Sequence, residues 1–177
     1  MPQGAAPRRY AEAAFALARE QGKLDRWKTD LRMAEGVLSD PNVLALLADP
    51  NVSSEHKRRV IDSQLTVTVD PSVRNLLYLL ADRGRITSLG RVVQEFVELA
   101  NREQGIVVAA VTTAVPLDAR GQQVVAERLK RLAGAKQVEL HNSVDPAILG
   151  GIIARIGDEL YDGSVRTQLT QLAERIS

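Results

Sequence analysis

The amino-acid sequence predicts an α+β protein, with a six-helix bundle over residues 1–105 and a small βαβββα domain over residues 106–177. Three observations carry that expectation. From Pro7 to Gln104 apolar residues recur at helical spacing, broken at short intervals by Gly, Pro, Asp and Ser. At Gly105 the period changes, and IVVAAVTTAV, residues 106–115, is rich in β-branched side chains. Residues 144–169, VDPAILGGIIARIGDELYDGSVRTQL, then combine a glycine-punctuated apolar hairpin, an Asp-Gly turn and a helix start, without a set of catalytic groups.

Each element follows from local chemistry. Tyr10, Ala13, Ala14, Leu17 and Ala18 sit at i, i+3, i+4, i+7, i+8 and define a first helix that Gly22 terminates. Leu24, Trp27, Leu31, Ala34 and Leu38 make a second. Asp40-Pro41 and Asp49-Pro50 punctuate a short third helix, Val43 to Ala48, because proline suits a first helical turn and biases its predecessor away from the α region. A fourth helix is expected over about 54–65. Asp70 caps a fifth that ends at Gly84, and Ser88 caps a sixth whose stripe is Leu89, Val92, Val93, Phe96, Val97 and Ala100. Beyond Gly105 the expected order is a strand to Val115, a helix over 117–133 ended by Gly134, and a strand from Lys136 to His141. Strands Gly151–Ile156 and Glu159–Tyr161 then pair across Gly157-Asp158. Ser164 caps a last helix carrying Val165, Leu169, Leu172 and Ile176.

Composition narrows the function. The 23 basic and 22 acidic side chains leave a formal net charge of +1 over 177 residues, so no strong field recruits a polyanion. Cysteine is absent, which removes disulfides, thiolate metal sites and a cysteine nucleophile. His56 and His141 are each alone among non-ligating neighbours and read as surface or packing residues. No apolar run approaches the roughly 20 residues a bilayer span needs, and MPQGAAPRRY lacks a secretory signal, so a soluble intracellular protein is expected.

The candidate sites are structural. Gly150, Gly151 and Gly157 match neither G-x-G-x-x-G between strand and helix nor a P-loop, and read as a close approach or bulge and a tight turn. Asp158, Glu159 and Asp162 are close in sequence, but alternation sends the first two to opposite sides. Asp162-Gly163 is a turn in which the carboxylate bonds its own backbone, leading into Ser164. Arg155 and Arg166 flank the hairpin as solvated or paired groups. Lys57-Arg58-Arg59 and Lys130-Arg131 read as solvated helix faces, and six scattered aromatics make no base-stacking platform. The surplus lies in the fifth helix. Val73, Leu76, Leu77 and Leu80 fill a core stripe, yet Tyr78 and Leu79 add apolar surface beside Asn75. Ala13, Ala14 and Ala18 on the first helix permit close approach of another helix, with Tyr10 and Phe15 as nearby anchors. These faces cover one another or form a groove for an incoming amphipathic helix.

From Arg8 to Ser177 the chain resembles the delta subunit family of bacterial F-type ATP synthases, related to the mitochondrial oligomycin-sensitivity-conferring protein. The specific motifs are Val144-Asp145-Pro146, Leu149-Gly150-Gly151-Ile152, Ile156-Gly157-Asp158 and Asp162-Gly163-Ser164-Val165-Arg166 with Leu169. Arg9-Tyr10-Ala11, Ala13-Ala14-Phe15, Trp27, Asn75-Leu76-Leu77 and Gly84-Arg85-Ile86 add looser support, while Tyr161 stands where an aliphatic residue is more usual. The resemblance implies a non-catalytic stator without cofactors, peripheral on the cytoplasmic side of the membrane, that joins the catalytic head to the peripheral stalk. It also implies that the N-terminal domain receives N-terminal helices of the alpha subunits and the C-terminal domain the b subunits. By position, Tyr10, Ala13, Ala14 and Leu17 of helix one and Asn75, Tyr78 and Leu79 of helix five would line the alpha-subunit groove. The hairpin Gly151–Tyr161 and last helix would meet the stalk. A nucleic-acid-binding adaptor is the competing reading, disfavoured by near-neutral charge, and an enzyme built on Asp158, Glu159 and Asp162 is the third.

Overall fold

A computed structural model describes residues 5–65, 69–167, 169 and 172 of the chain. It mixes helix and sheet, and the chain divides into two compact units, Met1–Ala100 and Asn101–Ser177.

The first unit is helical: α1 (Ala5–Glu20), α2 (Leu24–Leu38), α3 (Pro41–Ala48), α4 (Ser54–Gln64), α5 (Pro71–Asp82) and α6 (Leu89–Gln104), whose last residues pass into the second unit. Their boundaries follow the caps. Asp40 accepts hydrogen bonds from the backbone N–H groups of Asn42 and Val43, so α3 begins at Pro41, two residues before the apolar pattern does. Ser53 accepts from His56 N–H and Asp70 from Ser72 N–H. Residues Ile86–Ser88 form a 3₁₀ turn that runs into α6, so Ser88, the expected cap, stands immediately before the first helical residue, Leu89.

One apolar cluster holds these helices together. Ala11, Ala14 and Ala18 are all buried, so α1 contributes small side chains at its contact and its axis can lie close to its neighbours. The Trp27 ring stacks on Phe96 with centroids 5.8 Å apart and 18° between planes, joining α2 to α6. Lys57 departs from the expected solvated face. It is buried, and its Nζ donates to the Ala81 carbonyl at the end of α5, where helix carbonyls lack intrahelical partners. Arg58 reaches Asp82 at 2.8 Å and Arg59 reaches Glu55 at 3.5 Å.

The second unit is built on a four-stranded sheet, β1 (Ile106–Thr113), β2 (Gln137–Val144), β3 (Ile152–Ile156) and β4 (Glu159–Asp162), in the order β2-β1-β3-β4. The helix α7 (Ala119–Ala133) connects β1 to its parallel neighbour β2, in register from Ile106↔Gln137 to Thr113↔Val144. That pairing carries β2 three residues past His141. Asp145 then accepts a hydrogen bond from Ala147 N–H and starts a 3₁₀ turn, Pro146–Ile148, which the apolar pattern did not announce. β3 and β4 pair antiparallel with Ile156 opposite Glu159, as expected for a tight hairpin through Gly157-Asp158. Alternation sends Ala109, Val111 and Thr113 inward, where Ala109 and Val111 pack with Val125 and Leu129 of α7 and Ala154 of β3, whereas Val108 on the opposite face is exposed. Ser164 Oγ accepts from Thr167 N–H at 3.2 Å, and residues 165–167, 169 and 172 are helical. Val165, Leu169 and Leu172 are exposed; Ile176 lies outside the described residues.

Candidate functional site

The surplus apolar surface of the first unit gathers in a groove of about 230 Å³. Ala13, Ala14 and Leu17 of α1 line one side, Ser72, Asn75, Leu76 and Leu79 of α5 the other, and Trp27 of α2 also lines it. Five of the seven sequence candidates, Ala13, Ala14, Leu17, Asn75 and Leu79, therefore come together. Tyr10 and Tyr78 stand outside the lining. Tyr10 is half-buried against the helical core, and Tyr78 turns to α4, where its hydroxyl donates to Asp62 at 2.5 Å and Arg58 lies over its ring. Burial, and then the bond to Asp62, hold the Tyr78 hydroxyl above its ordinary pKa. The reason is helical rotation. Ser72, Asn75, Leu76 and Leu79 fall at i, i+3, i+4, i+7 on one stripe, while Tyr78 is turned about 100° from Leu79. That spacing was the available signal for Ser72 and Leu76. Trp27 had no such signal, because on α2 it reads as an ordinary core residue.

Only two large apolar side chains of this unit are exposed among the described residues, Leu17 at 39% and Leu79 at 42%, and both line the groove. Every other one is covered wholly or in part, so this is where the unit's apolar surface lacks a partner.

Charged staples fix the α5 wall of the groove against α2. The buried Asp30 carboxylate of α2 accepts from the Asp70 backbone N–H at 2.8 Å and from Arg26 Nε at 2.9 Å. Asp70 in turn accepts from Lys23 Nζ at 2.9 Å and from Ser72 N–H at 2.9 Å, so the start of α5 is held against the start of α2. The Lys23 hydrogen bond first, and the Ser72 N–H second, hold the Asp70 carboxyl below its ordinary value of 3.8. A depressed carboxylate adds stability that is full above its unfolded pKa and is lost as pH falls through the folded one. The denaturation midpoint of the first unit is therefore expected to drop as pH falls below 3.8. Asp70→Asn should be less stable at neutral pH and show a flatter acid limb; an identical acid limb in urea titrations would assign the effect to other carboxylates.

The second unit presents a wider groove, about 790 Å³, between α7 and the β3–β4 hairpin. Val124, Arg128 and Leu132 line the helical side and Ile152, Leu160 and Tyr161 the sheet side. Val124, Leu132 and Leu160 are exposed. Of the signature residues, Gly151, Asp162 and Gly163 line this groove. Gly151 takes φ +77° and Gly157 φ +57°. Gly150 packs so closely on Val165 that an added Cβ would lie 3.1 Å from Cγ2. The turn itself holds Asp162: Oδ1 accepts from Ser164 N–H and Oδ2 from Thr167 Oγ1, which together keep its carboxyl below the ordinary range. Glu159 accepts from the Tyr161 hydroxyl, and Asp158 and Glu159 are solvent-exposed. Among the described residues no three His, Asp or Glu side chains converge on a metal-sized space. His56 is exposed, and His141 Nε2 lies 3.4 Å from Glu139. No helix among the described residues is long and apolar enough to cross a membrane.

Known proteins resemble the chain over nearly its whole length. The model of the family described as ATP synthase delta (OSCP) subunit matches residues 6–176. The ATP synthase subunit delta of Anaeromyxobacter dehalogenans is 42% identical over 180 residues, covering 99% of each chain. That of a Synechococcus species is 41% identical over 169 residues, covering 95% of this chain and 93% of the relative. A chain of the Toxoplasma gondii mitochondrial ATP synthase hexamer superposes with a TM-score of 0.66 at 25% identity, with 96% of each chain covered.

Proposed function

Because this chain belongs to the ATP synthase delta (OSCP) subunit family, we propose that its two units divide the work of a stator joint. As in its family, its role is to hold parts of the synthase together against rotor torque. That task needs broad, rigid contacts and no reaction centre, so the chain acts without catalysis and without a cofactor. The N-terminal unit, read as a six-helix bundle over residues 1–105, receives the N-terminal amphipathic helix of an alpha subunit in the α1/α5 groove. The C-terminal unit, residues 106–177, receives the b subunits of the peripheral stalk along the hairpin Gly151–Tyr161 and the last helix. The joint lies on the cytoplasmic side of the membrane, peripheral to it and held there through its protein partners.

The observation that carries the first contact is the coincidence of the exposed Leu17 and Leu79 with the groove. A helix-in-groove interface is read through apolar anchors at i, i+3, i+4 and i+7, and one exposed leucine on each wall supplies matching anchors. Support for the second contact is that, among the described residues, Leu160 of the hairpin and Val165, Leu169 and Leu172 of the last helix are all exposed. A fragment ending near residue 105 tests the division. It should bind an alpha N-terminal peptide as tightly as the full chain in calorimetric titration and fail to retain b subunits in pull-down. Retention of both partners, or of the b subunits alone, overturns the assignment.

A further inference from the structure

Trp27 is the one tryptophan of the chain, and its position in the groove is unusual for what it lacks. The residue is 1% exposed and its ring is held by the stack on Phe96. Its Nε1 is closed to solvent, and no acceptor for its proton exists among the described residues. Buried indole N–H groups usually find a partner, because an orphaned donor keeps the full cost of leaving water. A phenylalanine would supply the same stack on Phe96 without that cost. Arg74 Nε is the other buried unpaired nitrogen among the described residues, but that guanidinium has an outlet through its Nη1, 3.5 Å from Asp62 on α4. The indole has one polar atom and no second outlet.

We propose that Trp27 is a specificity-determining donor of the groove, and that the helix docked between α1 and α5 presents to it a short side-chain oxygen from the middle of its apolar face. This rests on the groove being the alpha-subunit site. It goes further in stating the chemistry of the occupant: an amphipathic helix whose apolar face is interrupted by one Ser, Thr, Asn or Asp. Ala13 and Ala14 on the α1 wall leave room for the incoming backbone to come close, so a short side chain suffices. Apolar contact with Leu17, Leu76 and Leu79 alone would admit any amphipathic helix. A helix that places a methyl group there forms no such bond and forgoes the stabilisation that a short side-chain oxygen gains by pairing the orphaned donor. Because Nε1 is closed to solvent in the free chain, pairing requires the side chains that cover it to shift on docking, and the indole proton reports that shift directly.

The test uses the full chain, labelled with ¹⁵N, and a synthetic peptide of the alpha subunit's N-terminal helix. The single indole resonance should shift downfield and its proton should exchange more slowly once the peptide is bound. Trp27→Phe should bind about tenfold more weakly, the worth of one buried hydrogen bond. Replacing the polar residue of the peptide's apolar face by alanine should weaken the wild-type chain by the same factor and leave Trp27→Phe unaffected, closing a double-mutant cycle. An indole proton that does not move, or that is already downfield and protected in the free chain, overturns the proposal even if Trp27→Phe proves unstable. So does a Trp27→Phe affinity within about twofold of wild type. A peptide that does not bind the wild-type chain overturns the groove assignment itself, and this inference with it.

Discussion

Gly151→Ala is expected to unfold the C-terminal unit or come close to it, while the helical unit keeps its stability. A Cβ on Gly151 would lie 2.2 Å from the Gly163 carbonyl oxygen and 3.1 Å from both the Gly163 carbonyl carbon and Ser164 Cα. All three are backbone atoms, so no rotamer change relieves the clash. The approach is pinned on both sides, with Gly163 N–H donating to the Ile152 carbonyl at 2.9 Å and Val165 N–H to the Gly150 carbonyl at 3.0 Å. Parting the strands of backbone breaks those bonds and releases the turn that Asp162 and Ser164 cap. The left-handed φ of +77° adds about 1–2 kcal/mol for any residue with a Cβ. With the clash, the loss should exceed about 4 kcal/mol, a large share of what a small domain has. Gly157→Ala is the control. It shares the positive φ, +57°, but nothing lies within 4 Å of the added carbon, so about 1 kcal/mol is expected. Hydrogen exchange resolved by unit measures both. Equal, small losses for the two variants would show that the close approach to Gly163 carries no energy.

That contrast marks what could be read before the fold was known. The motif Leu149-Gly150-Gly151 announced a backbone requirement, and the Asp162-Gly163-Ser164 turn announced its own hydrogen bonds. Neither announced that the two segments meet, because the contact joins residues twelve apart whose side chains are absent at the point of approach. Local chemistry placed the helices for the same reason it placed the turns: capping by Asp40, Ser53 and Asp70 acts within three residues. The groove was half legible. Ala13, Ala14, Leu17, Asn75 and Leu79 follow from helical periodicity, but deciding between Leu76 and Tyr78 requires knowing which flank of α5 meets α4. Lys57 shows the limit most plainly. A lysine in a basic run on a polar helix reads as solvated, and only the tertiary position of the α5 terminus gives its ammonium a buried carbonyl to bind.

Leu79→Asp should separate folding from docking, which Ala14→Asp cannot do. Ala14 is 4% exposed, so a carboxylate there would be buried without a partner and would report on the core of the helical unit. Leu79 is 42% exposed in the unpartnered chain and already meets water. Its replacement costs the fold only lower helix propensity and an unfavourable charge near the end of α5, together below about 1 kcal/mol. In the docked state the same position has to leave water. Losing a buried leucine there removes about 1.5–3 kcal/mol, and stripping water from the new carboxylate adds to that. The affinity for an alpha N-terminal peptide should fall by roughly 100-fold or more, with an unchanged urea midpoint within about 1 kcal/mol. Leu17→Asp on the opposite wall should behave alike, and the double variant should lose no more than the first once binding is abolished. Because the two leucines sit on different helices, a shared loss of binding with two intact folds has one common cause, the surface between α1 and α5. A peptide that binds both single variants as tightly as the wild-type chain would move the alpha contact off this groove.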